Sequence, residues 1–124
     1  MQELLFEASW EKALSTQDRQ NIEDIFNETK HFSTSDLLFS TLRVAINHKE
    51  ALLVTVLVHN FSNQLLTFNN AKVSYYIEGE CIAERTFTLS ALAIPSKVSM
   101  PWTFIFPKGN YIARPSYENG RLEI

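Results

Sequence analysis

The N-terminal quarter of the chain carries apolar side chains at helical spacing. Within "LSTQDRQNIEDIFNETK" they recur three or four residues apart, at Ile22, Ile25 and Phe26. Ser15 suits an N-cap, with Asp18 three residues later in a capping-box position. The spacing predicts a helix from about Thr16 to Lys30, and Trp10 and Leu14 suggest a short turn before it. Because an isolated helix of this length is marginal in water, its apolar stripe should pack against another part of the chain.

After "HFSTSD" the hydrophobic period changes from 3.6 to 2, the period of β-strands. The strand segments are "LFSTLRVAIN", "ALLVTVLVHN", "AKVSYYIEGE", "CIAERTFTL" and "VSMPWTFIFP", with a short last strand at Leu122 and Ile124. The first segment is expected to turn one face inward, with Leu38, Leu42, Val44 and Ile46. The second is apolar on nearly both faces, which is typical of a central strand covered on each side. "NFSNQLLTFNN" and "SALAIPSK" are expected to be loops.

The segment "VSMPWTFIFP" raises the question of whether Trp102 is displayed or buried. It shares strand parity with Val98, Met100, Phe104 and Phe106. The alternation predicts an inward, mostly buried tryptophan whose replacement by alanine costs about 3 to 5 kcal/mol. Pro101 lies on the opposite face and lacks an N–H, so we expect this strand to be an edge or to carry a bulge. An edge is one place where a partner strand can add.

These elements predict an α+β, mostly β fold, an immunoglobulin-like antiparallel β-sandwich preceded by an N-terminal helix. We expect one domain over 1–124, in which a helical extension, 1–32, packs on a sandwich, 36–124. The expected core residues are Ile22, Phe26, Val44, Val56, Phe87, Trp102 and Phe104.

Composition narrows the class of protein. The 124 residues are 45% apolar, enough for one core without metal or disulfide. The net charge is −3 and the 11 Lys and Arg residues are scattered, which argues against nucleic acid as a partner. The start lacks the pattern of a signal peptide, and no segment approaches the roughly 20 apolar residues of a membrane span. We therefore expect a cytoplasmic protein, either free or associated with the membrane.

Candidate catalytic chemistry is sparse. The three histidines, His31, His48 and His59, do not lie at ligand spacing with one another or with cysteine, so no metal site is expected. His48 is expected in a turn, and His59 as a solvated or hydrogen-bonded imidazole at a strand end. Cys81 has no basic neighbour and is expected to be a buried or half-buried thiol rather than a nucleophile. No catalytic, cofactor-binding or metal residue is assigned, and the chain is not expected to be an enzyme.

Four strings resemble a known family: "SWEKALS", "IEDIFNETK", "LRVAINHKEALLVTVLVHN" and "AERTFTLSALAIPSKVSMPWTFIFP". They are similar to the SLAP domain of Gram-positive bacilli, which occurs singly or in tandem, including in the S-layer assembly protein that accompanies the accessory Sec system. The resemblance runs from about Trp10 to Pro107. It implies a non-enzymatic protein-interaction domain that assists export or assembly of S-layer or other cell-surface proteins. The implied partner is a secretion substrate or a component of the translocation machinery. This chain carries what reads as one copy of the domain.

Two other functions stay open beside this one. A cell-envelope carbohydrate-binding module would use exposed tyrosines together with the loop "NFSNQ", and a purely architectural module would bind no ligand. A protein-interaction domain would use a sheet edge or a groove between helix and sandwich. The sequence leaves the partner-binding residues and the oligomeric state open.

Overall fold

Two β-sheets and two short helices make up the part of the chain that the structure describes. The computed structural model describes residues 2–32 and 36–124. Its elements, in chain order, are β1 (Glu3–Leu4), α1 (Ala8–Ala13), α2 (Thr16–Thr29), β2 (Leu37–Ile46), β3 (Leu52–Asn60), β4 (Leu66–Ile77), β5 (Glu80–Ile94), β6 (Val98–Phe106) and β7 (Arg121–Glu123). One sheet has the strand order β1-β6-β3-β2 and the other has the order β5-β4-β7. The expected mostly β sandwich with a helical N-terminal segment is confirmed. The immunoglobulin-like subclass stays a prediction.

The predicted helix is present as α2, which ends one residue before the expected Lys30. The Ser15 hydroxyl accepts a hydrogen bond from the Asp18 N–H at 3.0 Å, as the capping pattern predicts. The expected turn before it is a separate short helix, α1, whose first turn is capped by the Glu7 carboxylate. Part of the predicted polar break, residues 33–35, lies outside the described residues.

The four-stranded sheet is covered on both faces, and its strand β3 shows this most clearly. Val54, Val56 and Val58 point between the two sheets into the main core. Leu57 points the other way and forms a second buried cluster with Ile22 and Phe26 of α2. A strand that is apolar on both faces therefore lies between a helix and a second sheet, because each face needs its own cover.

The expected core residues divide into two groups. Those that the structure buries are Ile22, Phe26, Val56, Phe87 and Phe104. Val44 and Trp102 pack against the main core but are only partly buried. Val44 lies on β2, the edge strand, and Trp102 lies on β6 beyond Ser99, the last β6 residue that β1 pairs with. Both side chains point toward the core, but no neighbouring strand lies beside them on the outer side of the sheet. Part of each side chain therefore stays exposed to solvent.

The expected inward face of β2 is correct for Val44 but wrong for Leu42, because the strand contains a bulge between Thr41 and Arg43. The extra residue reverses the alternation from that point. Leu42 therefore packs with the helix cluster around Leu57, whereas Val44 packs with the core between the sheets. The sequence around the bulge has no glycine or proline that would have marked it.

Parts of the two segments expected to be loops are strand, whereas residues 61–65 and 95–97 connect strands as predicted. Leu66 to Asn70 begins β4, but bulges near Phe68 and a positive φ of 55° at Asn70 interrupt the alternation there. The final part of β5 carries Leu92 and Ile94 inward and small exposed residues outward. Serine and alanine on the outer face made this stretch look like a loop, although its inward positions keep the period of two.

Candidate functional site

A groove of about 420 Å³ lies between the helices and the outer face of the four-stranded sheet. Its lining residues are Trp10, Leu14, Asp18, Asn21, Ile22, Asp24, Ile25, Leu42, Arg43 and Thr55. The apolar members Trp10, Leu14, Ile25 and Leu42 are only half-buried. The groove therefore exposes contiguous apolar surface that the fold itself leaves unfilled, which is typical of a binding site.

Each wall of the groove has an origin in the local sequence. α1 ends at Ala13 and α2 begins at Thr16, so the helical wall turns sharply and presents Trp10 and Leu14 beside Ile25. On the strand wall Leu42 faces the helices, and the β2 bulge brings Arg43 to the same side. Thr55 closes the floor, and its hydroxyl bonds that of Thr103 at 2.8 Å. Without the bulge, regular alternation from Phe39 would turn Arg43 toward the second sheet and leave Leu42 in the groove.

The charges around the groove differ between its walls. Asp18 and Asp24 lie on α2, and Arg43 lies on β2. Asp24 accepts a hydrogen bond from the Gln20 amide at 3.0 Å. Within the described ranges, neither the Asp18 carboxylate nor the Arg43 guanidinium has an ion pair or side-chain hydrogen bond. These groups are available to a partner without breaking contacts inside the domain.

The edge of β6 was the alternative binding surface, and the structure protects most of it. The N–H groups of Glu3 and Leu5 donate to the carbonyls of Lys97 and Ser99, each at 3.0 Å, so odd-numbered β6 residues direct their backbone groups outward. Pro101 therefore has its nitrogen on the outer edge, where the missing N–H removes no bond to β3.

Farther along the same edge, the Arg85 guanidinium donates to the Ile105 carbonyl at 2.7 Å. Among the described residues, the N-terminal strand, Pro101 and Arg85 leave only the stretch of β6 around Thr103 open to an added strand. Edges protected in this way resist strand addition. The groove is accordingly a better candidate for partner binding than the β6 edge.

A buried polar cluster lies beside the helix cluster and is centred on His59. The imidazole Nδ1 is 2.5 Å from the Ser99 hydroxyl, and Nε2 is 2.7 Å from the Thr29 hydroxyl on α2. Thr29 donates its proton to the Ile25 carbonyl at 2.6 Å, so its oxygen accepts from Nε2–H. Nδ1 then accepts from Ser99, whose oxygen in turn accepts from the Gln2 amide at 3.0 Å. The network assigns this tautomer and satisfies each of the four side chains.

Burial lowers the pKa of His59 to about 4, so the imidazole is neutral near pH 7. Its ring also stacks on Phe61, with centroids 5.1 Å apart and an interplanar angle of 7°. Ser99 and His59 are both inaccessible to solvent, so a substrate has no path to the pair. The arrangement links α2 and the N-terminal segment to the sheet, and the hydrogen-bonded alternative for His59 is the one observed.

The other residues considered as chemical candidates are dispersed. His31 and His48 are exposed, and His48 lies in the turn between β2 and β3. Cys81 is exposed rather than buried, because it lies near the start of β5, at the edge of the three-stranded sheet. Across the described residues, no three His, Cys, Asp or Glu side chains form a group that could hold a metal. In the same part of the chain, no helix is long and apolar enough to cross a bilayer.

The tyrosines and the "NFSNQ" loop do not form one surface. Tyr111 and Tyr117 meet edge to face, with ring centroids 5.6 Å apart, and the Tyr111 hydroxyl donates to the Glu50 carbonyl just before β3. The loop begins at Asn60, the other end of β3. At about 3.3 Å per residue, the two ends are roughly 25 Å apart. This separation argues against the carbohydrate site in the form expected.

Of the comparisons with known proteins, one gives a match, and that match spans nearly the whole chain. No curated protein and no solved structure matches the chain. The family model of the SLAP domain matches residues 4–119. The match takes in both helices, the two walls of the groove and nearly all of the sandwich, so the chain belongs to the SLAP domain family.

Proposed function

We propose that this domain is a non-enzymatic protein-interaction module that assists export or assembly of S-layer or other cell-surface proteins with the accessory Sec system. Its partner would be a secretion substrate or a translocation component, met in the cytoplasm or at the membrane. Membership of the SLAP family supports this biological setting. The observation that carries the binding mode is the groove, with its half-buried Trp10, Leu14, Ile25 and Leu42.

Binding fits the geometry better than catalysis does. A hydrolase or transferase working near neutral pH needs a positioned base, nucleophile or metal that its substrate can reach. The Ser99–His59 contact is closed off from solvent. The described hydrogen bond of the Cys81 thiol goes to the Ala83 carbonyl, and no described contact joins this thiol to a histidine. The groove instead presents apolar surface flanked by charges, the arrangement that peptide-binding grooves use.

The proposal can be tested by filling the groove without disturbing the core. Asn21 is exposed on α2 and lines the groove, so Asn21→Trp places a large side chain in it. Asn27 is also exposed on α2 but does not line the groove, which makes Asn27→Trp the matched control. Both variants are introduced into cells that lack the native gene, and secretion of surface proteins is measured.

We expect Asn21→Trp to lower the amount of exported surface protein several-fold and Asn27→Trp to restore it to the wild-type amount. Circular dichroism of both purified variants confirms that each is folded. Equal export by the two variants would contradict the assignment of the groove. Normal export in cells that lack the gene altogether would contradict the proposed function itself.

A further inference from the structure

We propose that the groove binds a segment of the partner protein that combines large apolar side chains with lysine or arginine. This inference rests on the proposed function and specifies the chemistry of the partner. The apolar part follows from the groove surface, since Trp10, Leu14, Ile25 and Leu42 gain cover only when something apolar enters. The basic part follows from the charge of the helical layer.

Charge is distributed unevenly between the two parts of the domain. Residues 1–32 hold seven acidic and three basic side chains, a net charge of −4, whereas residues 33–124 hold seven acidic and eight basic ones, a net charge of +1. The helical layer that forms one wall of the groove is therefore acidic, although the domain as a whole is only mildly so. An acidic surface attracts cationic segments and repels anionic ones.

None of the three cations of the helical layer, Lys12, Arg19 and Lys30, lines the groove. Arg19 pairs with Glu11 at 3.0 Å and stacks on the Phe6 ring, with its Cζ 4.7 Å from the ring centroid. Lys30 lies over the Phe26 ring at the other end of α2. At the groove itself, Asp18 and Asp24 face the open space with no cation of the described helices paired to them. A lysine or arginine of the partner would complete these interactions.

Arg43 makes the inference sharper, because it is the one cation among the described residues that line the groove. It stands on the strand wall, opposite the two aspartates, and repels a basic segment while the aspartates attract it. Removing Arg43 should therefore strengthen binding of a basic segment, whereas removing the aspartates should weaken it. An acidic partner would reverse both signs.

The test uses the purified full chain and synthetic peptides of defined composition. The first probe is a fluorescent peptide of about 16 residues, built of leucine and lysine with the leucines at helical spacing. A second peptide has glutamate in place of each lysine, and a third has the leucine and lysine order scrambled. Affinity is measured by fluorescence anisotropy at low and at physiological ionic strength, since exposed charge pairs weaken as salt rises.

We expect the lysine peptide to bind more tightly than the glutamate and scrambled peptides. Asp18→Asn with Asp24→Asn should weaken its binding about 3- to 10-fold, the effect of two exposed charge pairs. Arg43→Gln should tighten it about 1.5- to 3-fold on the same basis. Glu78→Gln with Glu118→Gln removes the same charge from exposed turns outside the groove and serves as the matched control. Asparagine keeps polar character near the start of α2, and circular dichroism verifies the helix.

Several results would overturn the inference. One is tighter binding of the glutamate peptide, and another is an equal effect of the groove and control charge variants. Dimers detected by sedimentation and abolished by Asn21→Trp would identify a second copy of this chain as the occupant instead. A mixed result is that Asn21→Trp blocks export while the aspartate variants tighten binding of the lysine peptide and Arg43→Gln weakens it. In that case the inference about charge fails and the proposed function stands. If export does not depend on the groove, the assignment of the groove fails, and if cells that lack the gene export normally, the proposed function fails, in both cases independently of the peptide data.

Discussion

The two faces of the four-stranded sheet are packed in different ways. Toward the second sheet the contacts are apolar and closed, with Phe104 fully buried and its ring edge to face with those of Phe39 and Phe87, at 5.8 and 5.2 Å. Toward the helices, a small apolar cluster stands between a buried hydrogen-bond network around His59 and an open groove. The closed face holds the larger buried cluster, and the mixed face positions the helices and leaves apolar surface exposed in the groove.

The largest test of this comparison removes the helical face altogether. A chain of residues 36–124 lacks α2, so Leu57 and His59 lose their cover, and Thr29 and Gln2 no longer bond the buried polar groups. We expect a loss of about 5 kcal/mol or more in the free energy of unfolding, or aggregation. Thermal unfolding followed by circular dichroism, together with sedimentation, measures both. A soluble fragment with the melting temperature of the full chain would show that the helices are an independent appendage.

The closed face can be tested with two aromatic residues on one strand. Phe104→Ala should cost about 3 to 5 kcal/mol, as expected for a fully buried phenylalanine. Trp102→Ala should cost less, about 2 to 3 kcal/mol, because Trp102 is only half-buried. Urea unfolding gives both values. Equal losses of unfolding free energy in the two variants would mean that the core excludes water as well around Trp102 as around Phe104.

The polar network should make stability depend on pH. The pKa of His59 is about 4 in the folded chain and near 6.5 when unfolded, so the unfolded chain binds the extra proton between these values. Stability is therefore fully present above about pH 6.5 and falls by about 2 to 3 kcal/mol as the pH drops toward 4.

Urea unfolding at several pH values measures this slope. His59→Gln should be less stable at pH 7 and should lose most of the slope. Replacing the exposed His31 and His48 by glutamine should keep it. A slope that survives in His59→Gln would assign it to carboxylates instead.

The smallest expected effect comes from residues that belong to neither face. Replacing His31 and His48 by glutamine and Cys81 by serine should change the free energy of unfolding by no more than about 0.5 kcal/mol for each site, since all three side chains are exposed. Export of surface proteins by this variant should equal that of the wild type. Loss of export in a normally folded variant would revive a catalytic or metal-binding function.

Much of the fold could be predicted because local rules agree with the final structure. The N-cap at Ser15 and the apolar spacing of Ile22 and Phe26 predict α2 to within one residue. The run from Leu52 to Asn60 indicates a strand covered on both faces, and β3 is one. Predictions were wrong where the backbone departs from regular alternation, at the β2 bulge and at Asn70. Bulges depend on pairing with a neighbouring strand, so one strand's sequence does not reveal them.

The candidate site was harder to predict than the fold. A groove between helix and sandwich was one of two surfaces considered, and the apolar Trp10, Leu14 and Ile25 were visible as part of a helical stripe. Leu42 and Arg43 gave no such signal, because the register shift decides which way each points. The β6 edge is protected by Leu5, which bonds Ser99, and by Arg85, which bonds Ile105. Both pairs join residues far apart in the sequence, so no local pattern predicts them.

The sequence by itself determined the period of each segment, the acidic character of the first 32 residues and the resemblance to the SLAP family. These properties depend on neighbouring residues or on composition, so they can be read without coordinates. Only the tertiary structure decided that His59 is buried and neutral, that the β6 edge is protected and that a groove opens beside Leu42. Burial, edge protection and cavity shape arise where distant segments meet, and their energies depend on which groups exclude water from one another.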